Sequence, residues 1–132
     1  SSAASDVYKR QIMFYPDSGL LAISTETDNE YVEPLIQEVY HEIDRLHQEP
    51  VSAEELTIVR NYMLGEMCRS YESPFSLSDA WIFIATSGLD DDYFSRSLLA
   101  VNEVTPMEIQ DLAQRYLCKE TLKEVIAGKK LS

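Results

Sequence analysis

Positive charge is scarce in this chain: 11 Lys and Arg stand against 23 Asp and Glu, a net charge of −12 at pH 7. Nucleic acid and anionic membranes are poor partners for such a surface, because binding them normally needs Lys and Arg to displace counterions. Long apolar runs are missing as well. The longest candidate, Trp81 to Leu89, is closed by Asp90-Asp91-Asp92, well short of the roughly 20 residues that span a bilayer, so the chain is expected to be soluble. Cysteine is limited to Cys68 and Cys118, too few and too far apart for a disulfide framework. Each sits in a helical pattern where a buried free thiol is expected, and a reducing, cytoplasmic compartment suits them better than an oxidising one. Glycine is sparse, with no glycine-rich phosphate loop, and none of the serines sits in the Gly-x-Ser-x-Gly elbow of a hydrolase nucleophile.

Residues 1–11 can be read codon for codon as an in-frame transposase sequencing adaptor. They are set aside as a non-native leader. Residues 12–132 have the length of one domain or of part of a larger one. The native start is expected to lie upstream of Ile12.

Tyr15-Pro16-Asp17-Ser18-Gly19 is turn chemistry, and Leu20 to Glu26 alternates as a strand with Leu21, Ile23 and Thr25 on one face. Asp28 or Asn29 is placed to cap a helix whose Val32, Leu35, Ile36, Val39, Ile43 and Leu46 recur every three or four residues, with Glu33, Glu38, Glu42 and Arg45 elsewhere on the wheel. Pro50 ends it. Ser52-Ala53-Glu54-Glu55 reads as a capping box for a second helix, with Leu56, Val59, Met63 and Met67 as its buried stripe and Gly65 suggesting close helix packing. Ser73-Pro74 starts a third helix carrying Leu77, Trp81, Ile84 and Ala85, which stops at Gly88. Asp90-Asp91-Asp92 opens a fourth through Leu98, Leu99 and Val101. The box Thr105-Pro106-Met107-Glu108 opens a fifth through Ile109, Leu112, Ala113, Tyr116 and Leu117. Leu122 to Gly128 alternates as a closing strand. The expected class is α+β: a partial two-layer α/β domain running strand, five helices, strand.

Chemistry is harder to find. His41 and His47 are six residues apart on one helix, about 120° apart on the wheel, and do not converge on one metal. Neither His-Glu-x-x-His nor His-x-x-Glu-His occurs, so both histidines read as solvated, and Glu42 beside His41 lacks a second ligand one turn on. Asp90-Asp91-Asp92 lacks the alternate spacing and the bend glycine of a calcium loop and reads as a helix cap. Glu38, Glu42 and Asp44 form a wet ionic face rather than an acid/base pair. Met63, Met67, Trp81, Phe83 and Phe94 read as core. No catalytic, cofactor-binding or metal-ligating residue is assigned.

The order of the pieces then carries a resemblance. Gly19 to Thr25, the long amphipathic helix, the turn Glu49-Pro50-Val51-Ser52 and Val59-Arg60-Asn61-Tyr62-Met63-Leu64-Gly65 are followed by Tyr71-Glu72-Ser73-Pro74-Phe75, Asp92-Tyr93-Phe94, the Thr105 to Leu117 segment and Val125-Ile126-Ala127-Gly128. From Gly19 to Lys130 this set resembles the second half of a domain in the insulinase, pitrilysin and mitochondrial-processing-peptidase family of zinc peptidases. The resemblance implies a non-catalytic, C-terminal half that helps to enclose a peptide substrate, with zinc held by His-x-x-Glu-His in a catalytic half of the parent chain or in a homologous subunit. It also implies a substrate-holding arginine and tyrosine just ahead of Gly19, where the leader stands, so Tyr8 and Arg10 are not those residues. Two other readings remain: a catalytically dead partner subunit of the same family, and an unrelated acidic interaction domain.

Overall fold

The computed structural model describes residues 8–15 and 17–128. They form β1 (Tyr8–Tyr15), β2 (Ser18–Thr25), α1 (Val32–Gln48), α2 (Ala53–Arg69), α3 (Pro74–Ser87), α4 (Tyr93–Glu103) and α5 (Pro106–Tyr116), with 3-10 turns at Asn29–Tyr31 and Lys119–Thr121. This is the expected α+β class with its five helices. Residues 1–7 of the expected leader, Pro16 of the expected turn, and Lys129 and Lys130 at the end of the resemblance lie outside the described residues.

The sheet departs from expectation. Its strands are sequence neighbours, paired antiparallel from Tyr15↔Ser18 to Tyr8↔Thr25, so residues 8–11 lie in β1. The expected closing strand, Leu122 to Gly128, has no regular structure, and its Val125 is 91% exposed. Alternation supplies the side chains of a strand, but a strand forms only where a neighbour takes up its backbone groups.

The chain divides into two compact units, residues 1–49 with 111–132, and residues 50–110. In the first, α1 follows the expected stripe: Leu35 and Ile43 are buried, Val32, Ile36, Val39 and Leu46 are half-buried, and Glu33, Glu38, Glu42 and Arg45 are exposed. Burying a Leu or Ile side chain contributes about 1.5–3 kcal/mol, so these two residues and the buried Ala113 of α5 are the centre of this unit's small core. Asp28 precedes the 3-10 turn as expected but makes no side-chain cap bond. Its backbone carbonyl accepts from the Tyr31 N–H at 2.9 Å instead.

In the second unit the helix ends are written locally. Ser52 Oγ accepts the Glu55 N–H at 3.1 Å to start α2. Ser73 and Ser76 cap each other reciprocally at the start of α3, with Pro74 in its first turn. Gly88 ends α3 in the left-handed region at φ 65°, where a residue with a Cβ is strained. Thr105 and Glu108 form a full capping box on α5, in which the Thr105 backbone N–H, bonded to the carboxylate at 2.8 Å, holds the Glu108 pKa below the usual range.

The inward faces are less as expected. Leu56 of α2 is buried, but Val59 and Met63 are exposed, and the half-buried positions are Arg60, Leu64, Gly65 and Met67. In α3, Ile84 is buried at 3% exposure, whereas Leu77 and Trp81 face solvent. Leu99 of α4, and Leu112 and Tyr116 of α5, are likewise exposed. Gly65 does not mark a close approach: a Cβ there would meet, within its own unit, the guanidinium of Arg69 at 3.6 Å, an ordinary contact.

Candidate functional site

The two histidines part company. His41 is exposed, as expected. His47 is not solvated but half-buried, with Nε2 3.0 Å from the Ala113 carbonyl oxygen. The reason is helical phase: His47 lies four residues after the buried Ile43 and shares its side of α1. Gln114 Nε2 donates in return to the His47 carbonyl at 2.8 Å, so the end of α1 and α5 are clasped by two reciprocal bonds.

The carboxylates near them are mostly engaged. Glu42 pairs with Arg45 at 2.9 Å, Asp44 pairs with Lys119, and Glu38 stays exposed. The Lys119 ammonium also stands 5.7 Å from the centre of the Tyr40 ring. The Tyr40 hydroxyl donates to Glu124 Oε1 at 2.7 Å, and this bond to the carboxylate raises the phenol pKa. Tyr40, Asp44, Lys119 and Glu124 thus fasten the segment after α5 to α1. A carboxylate already bound to a cation is a weak general base, and the arrangement suits attachment rather than proton transfer.

In the second unit, Arg60 does what the sequence reading gave to Val59 and Met63. Its Nε donates to the Val101 carbonyl at 3.1 Å and its Nη2 to that of Val104. Val101 lies in the last turn of α4 and Val104 just past it, where helix carbonyls lack intrahelical partners and the dipole favours a cation. Tyr71, Phe83, Tyr93 and Phe94 form a ring cluster with centroid separations of 4.9 to 5.9 Å, and desolvation raises the Tyr71 pKa. Phe83 and Phe94, expected in the core, are half-buried, while Trp81, 47% exposed, stands outside this cluster.

Asp92 precedes α4 as expected but makes no side-chain cap bond. Arg96 gathers the run instead, 3.1 Å from Asp92 and 3.7 Å from Asp90. Cys118 is half-buried, with Sγ 3.7 Å from the Arg115 carbonyl, whereas Cys68 is exposed rather than buried.

Among the described residues no three His, Cys, Asp or Glu side chains are grouped to hold a metal ion, and no helix is long and apolar enough to cross a membrane. Of the two histidines, His47 has its Nε2 taken up by a backbone carbonyl, and His41 is turned to solvent. What the structure does offer is apolar surface. Ile58, Val59, Tyr62 and Met63 on α2, Leu77, Trp81 and Ile82 on α3, and Leu20, Leu21 and Ile23 on β2 are each at least 40% exposed.

The sequence reading missed Arg60 and Tyr40. Both had a signal in their spacing, Arg60 four residues from Leu56 and from Leu64, Tyr40 four from Ile36 and from Asp44.

Residues 1–63 match the family model described as Peptidase M16 inactive domain. No curated protein and no solved structure matches the chain.

Proposed function

We propose, from the membership of residues 1–63 in the inactive domain of the insulinase-like M16 metallopeptidase family, that this chain is a non-catalytic C-terminal portion of a zinc-dependent endopeptidase. A domain of this kind is typically part of a larger peptidase chain or of a paired subunit. Its task is to form part of the wall that encloses a peptide, while zinc and the water it activates belong to the partner half. Holding a flexible peptide in place is itself catalytic work, since orienting reactants can remove several kcal/mol of barrier. The family match is the observation that carries this reading. The apolar residues exposed on β2, α2 and α3 agree with it, because a wall segment needs surface for the rest of its enclosure to cover.

The test begins with the coding sequence around this one. A His-x-x-Glu-His half in the same reading frame is expected; in a neighbouring gene it assigns the chain to a dead partner subunit instead. The chain and that half are then produced separately and together, and cleavage of a quenched fluorescent peptide library is followed with and without a chelator. Chelator-sensitive cleavage that requires both parts supports the proposal. Full cleavage by the zinc half alone, or one tightly held zinc per molecule of this chain alone, refutes it.

A further inference from the structure

We draw no further inference here: the strongest candidate, the surface patch on α2 where Ile58, Val59, Tyr62 and Met63 are exposed between Glu55 and Glu66, carries nothing, because nothing in the structure shows what covers it.

Discussion

Replacing Arg60 with alanine removes both donors that reach the end of α4. One hydrogen bond to a charged group contributes roughly 1.5–3 kcal/mol. The two bonds share one guanidinium and water can reach a half-buried carbonyl, so they are not additive, and the expected loss for Arg60→Ala is about 2–4 kcal/mol. Arg60→Lys keeps the charge and most of the stem but loses the fork, and should recover less than half of this. Trp81 is the single tryptophan and lies in the same unit as Arg60, so its fluorescence reports on that unit during urea unfolding. With a slope of about 2 kcal/mol per M, the midpoint for Arg60→Ala should fall by about 1–2 M. Val59→Ala and Met63→Ala serve as controls at exposed positions on the same helix, and each should stay within about 1 kcal/mol of the parent. If Arg60→Ala unfolds within about 0.5 kcal/mol of the parent while either control loses more, the inward face of α2 is the one the apolar spacing suggested.

His47→Ala should lower the stability of the first unit by about 1 kcal/mol, because the bond to the Ala113 carbonyl is lost, whereas His41→Ala should leave it within about 0.5 kcal/mol. Thermal melts of the two variants check this, and equal losses would count against the asymmetry between the histidines. Tyr40 should ionise above the ordinary tyrosine range, because Glu124 accepts its proton in a hydrogen bond and repels the phenolate. A phenol pKa raised by folding supports the fold below the unfolded value and ceases to do so as pH rises through the folded value. Titration by ultraviolet difference absorbance should therefore show both Tyr40 and Tyr71 ionising late, with only one late step shifting down in Glu124→Gln; an unshifted titration in that variant would exclude the contact.

Helix boundaries were legible because they are written in a few adjacent residues: Ser52, the Ser73-Pro74 pair, Gly88, and Thr105 with Glu108 each end or begin a helix as read. The buried stripe of α1 was legible for a related reason, since its apolar residues all fall on one side. α3 is different. Trp81, Ile82, Phe83 and Ile84 surround it with apolar side chains, so spacing does not fix its phase, and the inward choice of Ile84 and Phe83 depends on the neighbours it meets. In α2 an arginine took an inward position because the carbonyls of α4 were there to receive it, which no periodicity of α2 alone encodes. The expected strand at Leu122 to Gly128 failed on the same ground. Its pattern is local, but its partner is not. The site reading was weakest at His47, where a residue set aside as solvated proved to join two helices.

The clasp between α1 and α5 has a consequence in time. His47 and Ala113 are separated by 66 positions, and Tyr40 and Glu124 by 84. The whole of residues 50–110 must therefore be synthesised before the end of α1 meets the residues that fasten it. At about 5–20 residues per second, α1 waits roughly 3–13 s on the ribosome for Ala113 to be added. During that interval residues 50–110, closed by contacts such as Arg60 to Val101 over 41 positions, can already be folding. The last unit to close is thus the one that contains α1, and until it does, its Leu35 and Ile43 are not yet buried.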